Sequence, residues 1–122
     1  MCKVLGVGVD LCAISRMQEQ LTHEHFMARC FTAQEQAYIA ARSRRAADSA
    51  AGLWAAKEAA LKALGVGIVL PLTDVEIVHT DKGQPQYALH GKALDMVQDG
   101  SMALSISHEG NMAIAFCVWS GE

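Results

Sequence analysis

One carboxylate and two ammonium groups share an alanine-rich stretch in the middle of the chain, over residues 54–65. Alanine, leucine, lysine and glutamate favour the helix strongly, and Gly65 follows the last apolar residue, where a helix commonly ends. In the predicted helix, Lys57, Glu58 and Lys62 lie on neighbouring rows of one face beside large apolar side chains. A purely structural helix would separate charged and apolar residues more cleanly, so a chemical role is one interpretation of this face. The alternative is a surface Glu58–Lys62 ion pair worth about 0.2–0.5 kcal/mol.

Two further polar side chains stand where apolar strands are predicted to end. Asp10 ends the run that begins at Val4, and we expect the strand to give way there to a turn. Asp10 is therefore either the N-cap of the helix that follows or a ligand. His108 follows Ser105 and Ser107 at the end of a nearly apolar strand, beside a glycine-containing turn. It is either a satisfied turn histidine or a residue that contacts a ligand, while the two hydroxyls, if buried, need partners.

The elements of the first half of the chain have recognisable signals. Gly6 and Gly8 share one face of the first strand, where another backbone or a ligand could come close. Thr32 and Glu35 form a capping box that starts a helix, so Glu35 has a sufficient structural role. A basic cluster follows that helix, and it is either a solvated helix end or a contact for phosphate or an acidic partner; its members are Arg42, Arg44 and Arg45.

The second half of the chain predicts an antiparallel sheet. A period-two pattern over 75–90 with a turn at 81–84 indicates a hairpin, and a short helix follows over 91–98. Two strands over 102–107 and 112–119 are so apolar that we expect them to be central and buried on both faces. The order of strand, helices, hairpin, helix and hairpin predicts an α+β fold, with an antiparallel β-sheet packed with helices.

The composition indicates what kind of domain this is and which classes of partner are not expected. The 122 residues predict one domain over 1–122, and 52% hydrophobic against 19% charged residues is apolar enough to suggest self-association. A net charge of −3 gives no general attraction to nucleic acid, and no apolar run reaches the length of a membrane span. The four cysteines do not have the spacing of a metal site, so we expect them to be reduced side chains of a cytoplasmic protein. They are Cys2, Cys12, Cys30 and Cys117.

Three motifs together resemble one enzyme family, the 4′-phosphopantetheinyl transferases. Residues 6–16 resemble its opening G-x-G-x-D-x-x-x-I-x-R, and residues 54–65 resemble its central W/F-A-A-K-E-A-x-x-K-A-x-G. Residues 105–115 resemble its closing S-I-S-H-x-x-x-x-A-x-A strand pair. The resemblance runs along the whole chain in order, and the length is similar to that of the small, single-repeat holo-[acyl-carrier-protein] synthase branch.

The resemblance implies a group transfer and a metal. The expected reaction moves 4′-phosphopantetheine from coenzyme A to a serine hydroxyl of an acyl carrier protein, with adenosine 3′,5′-bisphosphate as the other product. By the same resemblance, Asp10 and Glu58 hold Mg²⁺, for which Mn²⁺ could substitute, and carboxylates are ligands that Mg²⁺ accepts together with phosphates and waters. Lys62 is expected to stabilise phosphate charge during the transfer. The base that takes the serine proton is left open between Glu58 and a metal-bound water held by Asp10.

The resemblance also assigns binding residues and an assembly. Lys57 and His108 match positions near the coenzyme A phosphates, and Gly65 matches backbone that packs against the nucleotide. The small branch resembles a homotrimer with active sites between subunits, one subunit providing the Asp10 end and the other the Glu58 helix. No nucleic acid or membrane partner is expected.

Two departures from the family pattern affect binding. The family often has a basic residue at position 53 that meets coenzyme A phosphate, whereas this chain has Leu53; His108, Lys57 or an arginine from 42–45 could compensate. The family docks acidic carriers with several basic residues, but residues 17–28 contain no Lys or Arg. Arg16 and Arg29 remain as the expected docking cations. This predicts a narrower or different carrier preference, and docking that is less sensitive to salt than in a strongly basic homologue.

Two other classes of function are compatible with parts of the pattern. A non-catalytic module that binds coenzyme A or a carrier protein would keep the fold, but it would not need Asp10, Glu58 and Lys62 together. A Mg²⁺-dependent hydrolase of pyrophosphates or nucleotides would use similar ligands, but it would not explain Arg16 or the closing strand pair. Transfer to a carrier serine accounts for more of the residues than either alternative.

Overall fold

The computed structural model describes residues 2–67 and 69–122, and its elements follow the predicted order. The strands are β1 (Lys3–Ala13), β2 (Val75–His79), β3 (Pro85–Leu89), β4 (Ser101–Glu109) and β5 (Met112–Gly121). The helices are α1 (Ile14–Gln20), α2 (Glu24–Cys30), α3 (Ala33–Ala41), α4 (Ala46–Ala63) and α5 (Gly91–Val97). Single turns of 3₁₀-helix lie at Ser43–Arg45 and Leu72–Asp74. The predicted α+β class with antiparallel sheets is confirmed.

The strands form two antiparallel sheets. One sheet has the order β1–β5–β4, and the hairpin of β2 and β3 forms the other. In the three-stranded sheet, Asp10 of β1 is opposite Ala115 of β5, which is opposite Ile106 of β4. The register therefore fixes which residues of the three strands lie in one row across the sheet.

Helix α4 packs across one face of the three-stranded sheet at unusually close range. A Cβ atom added to Gly8 would collide with the carbonyl oxygen of Ala59, and one added to Gly6 would collide with that of Ala63. The predicted close approach at the two glycines is therefore confirmed, and the approaching backbone is that of a helix. Most of the alanines of α4 are fully buried, because small side chains let the helix lie against its neighbours.

The opposite face of the same sheet is uncovered in the single chain. Side chains alternate between buried and exposed along β5, and Ala113, Ala115 and Cys117 face the core. The prediction that the last two strands are buried on both faces is wrong, because only one layer of helices covers the sheet. The exposed apolar side chains of this sheet face include Val7, Val9, Leu11, Ile114 and Phe116.

The helix ends agree largely with the predicted signals. Thr32 and Glu35 form the reciprocal hydrogen bonds of a capping box at the start of α3. Gly65 has φ of +74°, the left-handed conformation predicted after the central helix. The central helix α4 begins at Ala46. Two short helices, α1 and α2, lie between β1 and α3.

All four cysteines are free thiols, of which Cys2 is exposed and the other three are buried. Among the residues described, no helix combines the length and apolarity that crossing a bilayer would require.

Candidate active site

Asp10 lies inside strand β1, on the face that meets helix α4. Side chains alternate along a strand, so Asp10 shares its face with Gly6 and Gly8, which contact the α4 backbone. The alternative that Asp10 caps the next helix is wrong, because β1 continues to Ala13 and Ala13 itself occupies the N-cap position of α1. The carboxylate is thus aimed at the charged residues near the end of α4.

Lys62 reaches from the last turn of α4 to this carboxylate. Its Nζ lies 3.0 Å from Oδ1 of Asp10, and it donates a second hydrogen bond of 3.0 Å to the carbonyl oxygen of Val9. The Lys62 side chain is 56% exposed and that of Asp10 is 18% exposed, so the pair borders solvent. The ammonium group is therefore held at the site while a face of it remains open to an anionic ligand.

Glu58 lies one turn before Lys62 on α4, and its pKa is affected by the charges of Asp10 and Lys62. Burial raises the pKa of Glu58, the nearby charge of Asp10 raises it further, and Lys62 opposes the shift. Because Lys62 contacts Asp10 and Glu58 lies one turn before Lys62 on the same helix, the two carboxylates border the same small region. The expectation that different subunits supply Asp10 and Glu58 is wrong, because one chain brings the two carboxylates together.

The two carboxylates are ligands of the kind that a divalent cation accepts, although they would supply only part of its coordination shell. Across residues 2–67 and 69–122, no group of three or more His, Cys, Asp or Glu side chains could by itself hold a metal. Mg²⁺ does not need such a group, because one or two carboxylates with substrate phosphates and waters complete its shell. A cation beside Asp10 and Glu58 would also relieve the repulsion that raises the Glu58 pKa. The residues present therefore fit Mg²⁺ or Mn²⁺ only together with a phosphate ligand.

Lys57 is buried, so the expectation that it meets coenzyme A phosphates is corrected. The side chain is completely inaccessible, and Nζ lies 2.8 Å from Oε1 of Glu35. Nζ also donates to the carbonyl oxygens of Leu72 and Val75, at 2.9 and 2.8 Å. Burial lowers the Lys57 pKa, and the Glu35 carboxylate opposes that shift. With its hydrogens engaged inside the core, Lys57 joins α4 to α3 and to the start of β2.

His108 lies in a different cavity, at the other end of helix α4. The Nε2 atom of His108 donates a 2.9 Å hydrogen bond to the carbonyl oxygen of Asp48. A Cβ on Gly52 would lie 3.2 Å from that nitrogen, so the glycine leaves room for the imidazole ring. The cavity has a volume of about 190 Å³ and is lined by Tyr38, Arg42, Ser49, Gly52, Leu53, His79, Gly83, Pro85, Ile106 and His108.

The two polar regions are well separated within one chain. Asp48 and Glu58 are ten residues apart on α4, which corresponds to about 15 Å at a rise of about 1.5 Å per residue. An extended ligand could reach from one region to the other, or a second chain could bring its own cavity beside the carboxylates. We call the region of Asp10, Glu58 and Lys62 the carboxylate site, and the region around His108 the histidine cavity.

The remaining residues expected in the site occupy accessible positions. Arg16 on α1 is exposed and lines a small cavity beside β1, together with Phe26 and Trp54. The rings of Phe26 and Trp54 are 5.7 Å apart. Arg29 is exposed on α2, and Gly65 is exposed immediately after α4, with open space where a side chain would begin.

Several residues of the histidine cavity carry no signal in the sequence. Tyr38 and His79 are far apart in the chain, yet their rings stack at 4.0 Å with an interplanar angle of 9°. Arg42 lies over the Tyr38 ring, 5.6 Å from its centroid. The sequence shows the basic cluster but not which arginine lines the same cavity as His108, because only the packing of α3 against β2 and α4 decides that.

The site thus combines two carboxylates and a lysine at the contact of an antiparallel sheet with one helix, a set of groups suited to a divalent cation and phosphate. The family model described as the 4′-phosphopantetheinyl transferase superfamily matches residues 6–117. The chain belongs to this superfamily, as the three sequence motifs imply.

Known relatives agree in both sequence and structure. A holo-[acyl-carrier-protein] synthase from Clostridium tetani is 38% identical, and the match covers 98% of each chain. The crystal structure of a holo-(acyl-carrier-protein) synthase from Bacillus anthracis, in complex with CoA (3′,5′-ADP), has a TM-score of 0.83 at 30% identity and 98% coverage of both chains. A Helicobacter pylori holo-[acyl-carrier-protein] synthase in complex with coenzyme A has a TM-score of 0.79 at 30% identity, with 93% of this chain and 98% of that chain covered.

Proposed function

We propose that this chain is a holo-[acyl-carrier-protein] synthase that transfers 4′-phosphopantetheine from coenzyme A to a serine of an acyl carrier protein. The observation that carries the proposal is the contact of Lys62 with Asp10 beside Glu58, at the junction of two of the family motifs. Full-length similarity to synthases whose structures contain coenzyme A supports the choice of donor. A module that only binds its ligand has no need for this set of charges.

The proposed step exchanges one phosphorus–oxygen bond for another. The carrier serine oxygen bonds to the β-phosphorus of coenzyme A, and the bond from that phosphorus to the bridging oxygen breaks. The bridging oxygen leaves with adenosine 3′,5′-bisphosphate, while the phosphopantetheine remains on the serine. The serine proton passes to a base, and Glu58 and a water held by Asp10 are the two candidates.

Asp10 and Glu58 would together hold Mg²⁺ or Mn²⁺ on the pyrophosphate of coenzyme A. When bound, such a cation neutralises charge on the departing phosphate and polarises the phosphorus under attack. Lys62 contributes a fixed positive charge at the same place, because its ammonium group is anchored to Asp10 and the Val9 carbonyl but half exposed. Preorganised charge of this kind needs no rearrangement as the transition state forms.

Coenzyme A would extend from the carboxylate site to a histidine cavity, and we propose that the two belong to different subunits of a homotrimer. Within one chain they are separated by much of α4. The uncovered apolar face of the three-stranded sheet, with Val9, Leu11 and Phe116, offers a surface for self-association. Gly65 would pack against the nucleotide, and His108 would lie at its phosphate end.

Arg16 and Arg29 are the proposed docking cations for the carrier protein. Arg16 is exposed on α1 beside the strand that carries Asp10, so a carrier held there would present its serine near the carboxylate site. With few cations in this region, we expect the KM for the carrier to rise only modestly between low and physiological salt.

A transfer assay tests the proposed function. The purified chain is incubated with coenzyme A, Mg²⁺ and an apo-acyl carrier protein, and the carrier is analysed by intact mass spectrometry. We expect the mass to increase by one 4′-phosphopantetheine, and a carrier with its acceptor serine changed to alanine serves as the control. Absence of modification on fatty-acid and polyketide carriers alike would refute the proposal. Coenzyme A binding without transfer would instead indicate a binding module.

A further inference from the structure

Helix α1 carries Arg16, and little within the helix itself fixes its orientation. It is seven residues long, whereas isolated helices shorter than about 12 residues are marginal in water. Ala13 occupies its N-cap position, and an alanine side chain cannot accept from the free N–H groups of the first turn. Within α1, which the structure describes completely, Met17 alone is buried. The direction of Arg16 therefore depends on contacts from elsewhere in the chain.

The turn between β4 and β5 supplies the missing cap. Gly110 and Asn111 form this turn, and Gly110 has φ of +58°, a conformation that hairpin turns use. The main-chain N–H of Ile14 donates to the carbonyl oxygen of Asn111 at 2.7 Å, and that of Ser15 donates to Oδ1 of Asn111 at 3.0 Å. Nδ2 of Asn111 also donates to Oγ of Ser15, at 2.9 Å. We call these hydrogen bonds the Asn111 cap.

The Asn111 cap joins α1 to the strands that carry the carboxylate site. Strands β1 and β5 are paired as far as the residues next to the turn, so the cap continues their hydrogen bonding into the helix. Arg16 lines its cavity together with Leu11 and Cys12, the two residues that follow Asp10 in β1. A change in the orientation of α1 would therefore move the Arg16 guanidinium relative to the carboxylate site.

We propose that Asn111 is a positioning residue for carrier docking, because its hydrogen bonds to α1 hold Arg16 beside the carboxylate site. This inference rests on the proposed function and deepens it. Asn111 acts through Arg16, since a helix that is already fixed loses less conformational freedom when the carrier binds. Arg16 and Arg29 are the proposed docking cations, so the placement of each matters more than it would in a large basic patch.

Steady-state transfer kinetics of the full chain test this role. We expect Asn111→Ala to raise the KM for the apo-carrier about fivefold, which corresponds to the loss of a typical helix cap. The kcat and the KM for coenzyme A should each stay within about twofold of wild type. In hydrogen–deuterium exchange, the amides of α1 should exchange faster while those of α4 are unchanged. Ser15→Ala removes only the hydroxyl that accepts from Asn111, and it should raise the carrier KM by a smaller factor.

A double-mutant cycle shows whether Asn111 acts through Arg16. Arg16→Ala should itself raise the carrier KM, and adding Asn111→Ala to it should change that KM less than about twofold further. Gln86→Ala is the matched control, because it removes the same amide group from an exposed position on β3. We expect this control to change neither the carrier KM nor the exchange of α1.

Three results would overturn the inference. They are an unchanged carrier KM in Asn111→Ala, full additivity of the Asn111 and Arg16 substitutions, and a parallel rise of both KM values with a general loss of stability. The last pattern would indicate a role in folding alone. If Asn111→Ala does not fold, the same criteria apply to Ser15→Ala. A wild type that modifies the carrier separates these failures from that of the proposed function, which fails only if no carrier is modified.

Discussion

Lys57 and Lys62 show how position on one helix decides what a lysine can do. Both belong to α4, but Lys57 points into the core and is bound by Glu35, whereas Lys62 lies at the edge and reaches Asp10. A buried ammonium group costs desolvation energy and persists only with partners. An exposed one keeps hydrogens free for a ligand. The first lysine is therefore part of the structure and the second is available for phosphate chemistry.

The carboxylate site can be tested by removing one charge at a time. We expect Asp10→Asn and Glu58→Gln each to lower kcat/KM for transfer by at least about 100-fold, because the divalent cation loses one of its two protein ligands. Binding of Mn²⁺ in the presence of coenzyme A, followed by electron paramagnetic resonance, should weaken in parallel. Asp95→Asn removes an exposed carboxylate of α5 and should change neither quantity. Normal turnover by either site variant would exclude that residue as a ligand.

Loss of the Lys57 ammonium group should affect folding and not coenzyme A. Lys57→Ala leaves Glu35 buried without its cation, and we expect a loss of about 3–5 kcal/mol in the free energy of unfolding. Urea denaturation measures that change. The Kd for coenzyme A, determined at low temperature on folded protein, should stay within about twofold of wild type. A selective loss of coenzyme A affinity with normal stability would mean that Lys57 contacts the substrate.

At the scale of elements, the contact of β1 with α4 positions the carboxylate site. Gly6 and Gly8 let the strand approach the carbonyl oxygens of Ala59 and Ala63, and the same strand face then directs Asp10 toward Lys62. The geometry of the site thus depends on the absence of two side chains several ångströms from the chemistry.

Adding one methyl group at this contact should loosen both the fold and the site. Gly8→Ala forces a Cβ into the Ala59 carbonyl, and we expect a destabilisation of about 1–3 kcal/mol by thermal or urea unfolding. Transfer activity of the folded fraction should fall as well, since α4 must shift away from β1. Gly67→Ala is the control, because a Cβ there meets open space. Equal stability of the two variants would show that the packing tolerates the shift.

At the scale of the whole molecule, the uncovered sheet face explains the high apolar content. Exposed side chains of β1 and β5, such as Leu11 at 59% and Phe116 at 45%, form one continuous surface of the sheet. Burying such a surface is favourable in proportion to its area. The self-association proposed above would accomplish this.

Charges placed on this face should separate the subunits. We expect Phe116→Glu to convert a three-chain species into single chains, because unpaired carboxylates are costly to bury. Size-exclusion chromatography with light scattering measures the mass, and transfer activity should fall with it. Leu94→Glu changes an exposed leucine of α5, away from the sheet, and should preserve both. A monomeric wild type with full activity would contradict the proposed trimer.

Local sequence signals were sufficient for most of the fold. The capping box at Thr32 and Glu35 and the stop at Gly65 depend on short-range hydrogen bonding and backbone conformation, so spacing along the chain reveals them. The same holds for the hairpins. Asp10, Glu58 and Lys62 became the leading candidates only through the resemblance of their motifs to the family, because local spacing also allowed a helix cap and a surface ion pair.

Long-range packing decided what the sequence left open. Three features depend on which element covers which face: the burial of Lys57, the exposure of one face of β5 and the position of Arg42 in the same cavity as His108. Periodicity shows that a strand or helix has two faces, but it does not name the neighbour on each. Desolvation and ion pairing then follow from that neighbour, which is why two lysines of one motif have different environments.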